Sequence, residues 1–149
     1  MSEVATAPLE LRVERLIPAP PERVFELWTD PKLLARWFGP EGYTVPKHAM
    51  DVRPGGAWHT TLLAPDGTVR NVGGVYRAIE KPKRLVLTWG WVDAAGTRGH
   101  ETEITVTFAP APGGTRLVLC QREFESANAR DLHGIGWNST FNKLERFGA

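Results

Sequence analysis

The sequence has 149 residues, the length of one ordinary domain, and its 42% apolar content suffices for a single core with room for a pocket. Its 18 basic and 17 acidic residues nearly cancel and are scattered, which argues against a nucleic-acid-binding surface. The N-terminus shows no basic leader, and no run of about 18 apolar residues occurs. We therefore expect a cytoplasmic protein that does not enter a membrane, with residues 1–8 as a flexible tail and a single domain at 9–148.

The cysteine and histidine pattern indicates neither a disulfide nor a metal centre. Cys120 is the single cysteine, and its place in an alternating, strand-like run favours a buried or half-buried structural thiol. The four histidines are widely separated, without a Cys-x-x-Cys or His-x-x-x-His pair, and phosphate-binding glycine loops are absent. The sequence thus predicts no metal site and no cofactor.

The N-terminal part of the chain predicts a strand followed by two short helices. Residues 11–17 alternate apolar and charged side chains, the period of a half-buried strand. Pro21 suits the first turn of a helix, because proline is tolerated there. Asp30 suits the N-cap of a second helix, which is expected to continue to Phe38 and to stop at the Gly-Pro pair at 39–40.

The middle of the chain predicts an antiparallel meander. Short alternating runs are separated by turns that contain proline and glycine. Paired glycines at 73 and 74 inside the third run predict a bulge that lets a long strand bend. The six strands are expected at 44–52, 57–63, 68–79, 84–91, 101–108 and 115–124.

The C-terminal segment, residues 126–147, predicts one long amphipathic helix. Gly134 and Gly136 lie inside it, which indicates a close approach to the sheet or a kink. A seven-stranded antiparallel sheet must cover its apolar face, and this helix is the one element long enough to do so. The expected fold class is therefore α+β, a curved seven-stranded antiparallel sheet around a long C-terminal helix, in the order β-α-α-β6-α.

Several short motifs resemble one known family in their order along the chain. The family is the bacterial one named after the activator of the heat-shock-protein-ninety ATPase, within the START-like SRPBCC superfamily. The resemblance implies the helix-grip fold, in which a cavity lies between the sheet and the C-terminal helix. The motifs are Arg15 to Ala19, Val24-Phe25, Trp28 to Pro31, Arg36 to Pro40, Asp51 to Gly56, Gly74 to Arg77, Pro82 to Leu85, Thr88-Trp89, Gly114 to Leu117, and His133 with Gly136-Trp137.

The resemblance implies function less narrowly than fold, since relatives include ligand binders as well as polyketide aromatases and cyclases. Our leading interpretation is the binding of a small hydrophobic or aromatic molecule in the internal cavity, without catalysis. One alternative is a polyketide cyclase-like or hydrolase-like enzyme that uses the same cavity. The other is a chaperone partner or another protein-interaction module. The sequence leaves the ligand unnamed and a homodimer open.

Aromatic side chains from several elements fall on the face predicted to point into the fold. Together they favour an apolar or planar ligand, although ordinary core packing is the alternative for each one. These cavity candidates are Trp37, Phe38, Trp58, Trp89, Trp91, Trp137 and Phe141.

Two polar residues are further candidates for ligand contacts. Arg15 faces inward on the first strand, where it needs a partner: either a carboxylate in a structural ion pair or a ligand carboxylate or hydroxyl. His133 precedes Trp137 by one turn on the helix face expected to meet the cavity, where it caps or packs the helix, contacts ligand or acts as an acid or base. The expected protein partners of Arg15 are Asp51, Glu101, Glu103 and Glu123.

Overall fold

A curved antiparallel sheet is the largest element of the fold. The computed structural model describes residues 9–148, so the expected tail at 1–8 lies outside the described residues. The sheet has the order β1-β7-β6-β5-β4-β3-β2, and every neighbouring pair is antiparallel. The strands are β1 (Leu11–Ile17), β2 (Thr44–Met50), β3 (Ala57–Leu63), β4 (Val69–Glu80), β5 (Arg84–Val92), β6 (Arg98–Ala111) and β7 (Gly114–Arg122).

Two short helices carry the chain from one edge of the sheet to the other. They are α1 (Pro21–Thr29) and α2 (Pro31–Leu34). Asp30 caps α2 as expected, since its Oδ1 accepts from the backbone N–H of Lys32 at 2.9 Å and of Leu33 at 3.4 Å. The expectation that α2 continues to Phe38 is wrong, because the backbone N–H groups of Arg36 and Trp37 donate three residues back, to Leu33 and Leu34, and the regular helix ends at Leu34.

The long helix α3 (Ala127–Gly148) lies across the sheet beside β1 and α1. Its buried side chains are Trp137, Thr140, Phe141 and Leu144. The arrangement is the predicted α+β helix-grip fold, with a seven-stranded curved antiparallel sheet and a C-terminal helix. Within residues 9–148, no helix is long and apolar enough to cross a membrane.

The strand boundaries differ from expectation where pairing continues into the turns. β6 runs from Arg98 to Ala111 instead of 101–108, because Arg98 pairs with Val92 and Ala111 pairs with Gly114. β2 ends at Met50, two residues earlier than expected. Cys120 is partly buried on β7 as a free thiol, as its alternating pattern predicted.

The predicted bulge at the paired glycines is wrong. The pairing register of β4 with β5 is the same at Gly73 as at Tyr76, and it shifts only between Tyr76 and Ala78. A Cβ atom on Gly74 would lie 2.0 Å from the carbonyl oxygen of Thr88. Glycine is therefore required there by the close approach of the neighbouring strand, not by a bend.

Candidate functional site

A cavity of about 570 Å³ opens between the N-terminal half of α3 and the concave face of the sheet. Its walls come from α3, from strands β3, β4 and β5, and from the segment 38–43 that follows α2. This volume lies in the range of about 300–1,000 Å³ that is typical of small-molecule sites.

The inner wall of the cavity is aromatic. Trp89 lies at its centre, with ring centroids 5.3 Å from Trp137, 5.5 Å from Trp91 and 5.9 Å from Phe38. Trp89 and Trp91 come from the inward-facing positions of β5, whereas Trp137 comes from α3. Since flat rings from two elements face the same space, the wall offers large, rigid apolar surface to a guest.

Trp137 is held in place by a chain of buried hydrogen bonds. Its indole N–H donates to Oε1 of Gln121 at 2.8 Å, and Nε2 of Gln121 donates to Oγ1 of Thr102 at 2.8 Å. Gln121 is fully buried on β7. Because the partners satisfy each other, this polar group is accommodated in the core and fixes one side of the cavity wall.

His133 lies between aromatic rings beside the cavity. Its ring centroid is 5.0 Å from Phe124, 5.9 Å from Trp91 and 6.0 Å from Trp89. Nδ1 lies 2.9 Å from the carbonyl oxygen of Ala129, so Nδ1 carries the proton and donates. Nε2 is buried and has no hydrogen-bond partner among residues 9–148.

Burial lowers the pKa of His133, and the positive charge of Arg70 acts in the same direction. The hydrogen bond to Ala129 and the negative charge of Glu125 act in the opposite direction without reversing the shift. His133 is therefore a neutral ring at neutral pH, with Nε2 as an acceptor.

The rim of the cavity combines exposed apolar and charged side chains. Leu132 and Ile135 on α3 are 60% and 69% exposed, and both line the opening. Arg70, on β4, lies with its guanidinium carbon 3.7 Å from the centroid of the Trp91 ring. Glu125 precedes α3 at the same opening. The cavity thus opens to solvent through a mixed rim.

The segment 38–43 at the opening is held against α3 by polar contacts. Nζ of Lys143 donates to the carbonyl oxygens of Phe38, Pro40 and Tyr43 at 3.2–3.4 Å. Burial lowers the pKa of Lys143, although the carboxylate of Glu41 acts against that shift. Glu41 also accepts from Arg146 at 2.8 Å.

A second cavity of about 20 Å³ lies deeper in the core, behind Phe38, Trp89 and Trp137. Its volume is about that of one water molecule. Trp58 belongs to this inner cavity and not to the larger one, and its indole N–H donates to the carbonyl oxygen of Thr88 at 3.0 Å.

The structure brings five of the nine candidate site residues to the large cavity. These are Phe38, Trp89, Trp91, His133 and Trp137. Trp37 and Phe141 are fully buried in the core, and Trp58 lines the inner cavity, so ordinary packing accounts for these three.

Arg15 forms a structural ion pair, but its partner is none of the four carboxylates considered from the sequence. Its Nη1 lies 3.3 Å from Oε1 of Glu145, and its Nη2 donates to the carbonyl oxygen of Asn138 at 3.0 Å. Both partners lie on α3, which crosses β1 on its inner face. Arg15 therefore joins the helix to the sheet edge outside the cavity lining, which leaves His133 but not Arg15 at the large cavity.

Sequence reasoning missed several residues that line the cavity. Arg70 shares the inner face of β4 with Val72 and Tyr76, so the period of two could have identified it. Apart from Phe38, which was a candidate, no local signal marks the residues of segment 38–43, and none marks the exposed apolar side chains of α3. The other missed lining residues include Tyr43, Leu62, Glu125, Leu132, Ile135, Gly136 and Thr140.

Residues 18–148 match the model of a protein family described as Activator of Hsp90 ATPase homolog 1-like protein. The chain belongs to this family. The family lies in the START-like SRPBCC superfamily, as the motifs predicted, and its members commonly bind ligands. Comparison with curated proteins finds no match.

Solved structures support the same assignment. The AHSA1 protein from Silicibacter pomeroyi is 32% identical over 92% of this chain and 95% of that one, with a TM-score of 0.85. A protein from Chromobacterium violaceum is 30% identical over 92% and 94% of the two chains, with a TM-score of 0.80. A protein from Arthrobacter aurescens is 25% identical over 94% and 86%, with a TM-score of 0.82.

Among residues 9–148, no group of three or more His, Cys, Asp or Glu side chains is placed to hold a metal ion. The polar side chains at the large cavity are instead one imidazole, one guanidinium, one carboxylate, one amide and four hydroxyl groups. Such a set can orient a ligand by hydrogen bonds and charge.

Proposed function

We propose that this protein binds a small, largely apolar and planar molecule in the cavity between α3 and the sheet. The observation that carries the proposal is the cavity of about 570 Å³ with Trp89, Trp91, Trp137 and Phe38 on its wall. Flat aromatic walls favour flat guests, because ring stacking adds to the burial of apolar area.

The shape of the cavity favours binding over a surface-only role. A protein-interaction module would have no need for an internal void, and a void of this size sacrifices packing contacts. The exposed Leu132 and Ile135 lie at the opening of the cavity and would be covered by a bound guest. A ligand-binding role therefore accounts for both the void and the exposed apolar rim.

The affinity expected for a simple probe follows from its size. At about 0.4 kcal/mol per non-hydrogen atom, a guest of about 17 such atoms binds with about 7 kcal/mol, a dissociation constant near 10 µM. N-phenyl-1-naphthylamine has this size, is neutral and planar, and brightens in apolar surroundings. Its titration by fluorescence tests the proposal directly.

Gly136 offers a matched pair of variants for the same titration. A Cβ atom on Gly136 would meet nothing within 4 Å, and the residue lines the cavity. Gly136→Leu should place its side chain in the void and weaken probe binding about tenfold or more. Gly136→Ala changes the helix backbone in the same way but fills little space, so it should keep the affinity of the unaltered protein.

Two results would contradict the proposal. One is a lack of probe binding together with no small molecule in the denatured extract of the purified protein, as measured by mass spectrometry. The other is a probe affinity that Gly136→Leu leaves unchanged, since the probe would then lie elsewhere.

A further inference from the structure

The charged side chains of the cavity lie at its rim beside the exposed Leu132 and Ile135, and the buried apolar side chains form its inner wall. Phe38, Leu62, Trp89 and Trp137 are buried and form the inner wall. Arg70 is exposed at the start of β4 and lines the same cavity. An apolar guest that fills the inner part therefore extends toward a cation.

The guanidinium of Arg70 is oriented by Trp91. Its carbon lies 3.7 Å from the Trp91 ring centroid, within the range of a cation–π contact. Stacking of this kind occupies the face of the guanidinium and leaves the N–H donors along its edge available. The N–H groups on the edge of the Arg70 guanidinium can therefore donate hydrogen bonds to a ligand.

Arg70 lacks the carboxylate partner that most arginines of this chain have. Ten other arginines make salt bridges. Across residues 9–148, no carboxylate lies within 4.0 Å of the Arg70 guanidinium, not even that of Glu125 at the same rim. His133 adds no positive charge at neutral pH because burial lowers its pKa. Arg70 is therefore the one cation of the described cavity lining.

We infer that the guest is an amphipathic planar monoanion, whose ring body packs against the inner aromatic wall and whose carboxylate binds the edge of Arg70. The inference rests on the proposed function and specifies its ligand class. A carboxylate matches the two-donor edge of a guanidinium in shape and charge. A doubly charged phosphate fits less well, since Glu125 shares the rim and a single guanidinium leaves one charge unbalanced.

The test compares two guests that share one ring system. 2-Naphthoic acid is an anion at pH 7.5, whereas 2-naphthamide is neutral and nearly the same shape. Each displaces N-phenyl-1-naphthylamine from the protein, and its affinity follows from the loss of probe fluorescence. We expect the acid to bind about fivefold more tightly than the amide, the gain typical of a charge-assisted contact that is partly screened by solvent.

Three variants locate the source of this preference. Arg70→Gln should abolish the preference for the acid while leaving the affinity for the amide unchanged. Glu125→Gln should strengthen acid binding about twofold, because it removes a like charge at the rim. Arg122→Gln is the matched control, since Arg122 is also exposed and makes no salt bridge within the described residues but lies outside the cavity lining.

The outcomes separate the inference from the proposed function. If acid and amide bind equally, or if the preference for the acid survives Arg70→Gln, the inference is overturned while probe binding still supports an apolar cavity. If the neutral probe itself fails to bind, the proposed function fails and the inference falls with it. A preference lost in Arg70→Gln and kept in Arg122→Gln supports the inference.

Discussion

The two halves of helix α3 meet the sheet in opposite ways. In the C-terminal half, Phe141 and Leu144 are fully buried, and so is Trp37, which packs against Trp28. In the N-terminal half, Leu132 and Ile135 are 60% and 69% exposed beside a cavity of about 570 Å³. One helix therefore closes the core at one end and roofs an open cavity at the other.

The difference comes from the two short helices. Trp28 of α1 lies between α3 and the sheet at the closed end, with ring contacts to Phe141 and Phe108. Trp37, in the turn after α2, packs against Trp28 at a ring-centroid distance of 4.8 Å. At the open end, the segment 38–43 passes beside the space instead of filling it. Trp137 lies at the boundary, 6.1 Å from Trp28 on one side and 5.3 Å from Trp89 on the other. Aromatic residues thus serve as filling at one end and as lining at the other.

Removing one tryptophan at each end of α3 should give the largest difference in stability between two variants. Trp37→Ala should lower the free energy of unfolding by about 3–5 kcal/mol, because it leaves a large hole in the packed end. It also removes the hydrogen bond from Trp37 Nε1 to the carbonyl oxygen of Leu27 at 2.9 Å. Trp91→Ala should cost only about 1 kcal/mol, because the half-buried ring already borders open space.

Urea unfolding measures both free energies, and the probe titration measures binding by each folded variant. Trp91→Ala should lose most of its probe affinity while remaining nearly as stable as the unaltered protein. Equal destabilisation by the two variants would show that the ends are packed alike, which would contradict the comparison.

The segment 38–43 can be loosened through Lys143. Lys143→Met keeps the length of the side chain but removes three donors from the carbonyl oxygens of Phe38, Pro40 and Tyr43. We expect a loss of about 1–2 kcal/mol in unfolding free energy, since the donor is charged but the contacts are long and partly exposed. Hydrogen exchange should quicken in 38–43 and not in β6.

Arg146→Met serves as the comparison variant for the same segment, because its contact with Glu41 is exposed. It should change stability by less than about 0.5 kcal/mol. A Lys143→Met protein whose segment 38–43 exchanges at the original rate would show that the lysine does not hold this part of the opening.

The two glycines of α3 distinguish open space from contact within a single helix turn. Gly136→Ala should raise the free energy of unfolding by about 0.5–1 kcal/mol, because alanine favours the helix and its methyl group meets nothing within 4 Å. Gly134→Ala gains the same propensity, but its Cβ atom would lie 3.2 Å from Cδ1 of Leu11. The gain at Gly134 should therefore be smaller, and thermal or urea unfolding measures the difference.

Gly134 and Gly136 also show how far sequence reasoning reaches. Glycine inside the predicted helix indicated a close approach or a kink, and the structure shows a close approach at Gly134 and open space at Gly136. The order of elements was predictable because it depends on period and turn residues, which are local. Whether a given residue faces a neighbour or a void depends on distant segments, which no local pattern reports.

The positions of the candidate site residues also depend on segments that are distant in the sequence. Trp37 and Trp89 are equally good cavity candidates by sequence, yet Trp37 is fully buried against Trp28 and Trp89 lines the cavity. The inward face of Arg15 was predictable from the period of β1, but its partner Glu145 depends on where α3 crosses that strand. The inner face of Arg70 could have been read from the period of β4, but its contact with the ring of Trp91 depends on the neighbouring strand.

The smallest expected effect is a pH dependence that arises at the open end. Burial lowers the pKa of His133 in the folded protein below the value of about 6.5 for an unfolded chain. The unfolded state therefore takes up a proton first as the pH falls, so His133 stabilises the folded protein least under acid conditions. The charged groups that face it are Arg70, which adds to the shift, and Glu125, which opposes it. The unfolding free energy should decline from about pH 7 downward until the folded pKa is passed.

His133→Phe removes this titration while keeping a flat ring between Phe124, Trp89 and Trp91. The difference in unfolding free energy between the two proteins, measured in urea at intervals from pH 7.5 to 5, isolates the contribution of His133 from that of other groups. Above the unfolded pKa the difference should be constant, and it should move in favour of the variant as the pH falls. Parallel curves over the whole range would mean that His133 binds its proton equally well in the folded and unfolded chains. The ring would then be as well hydrated as in bulk solvent, and burial would not be what keeps it neutral beside the cavity.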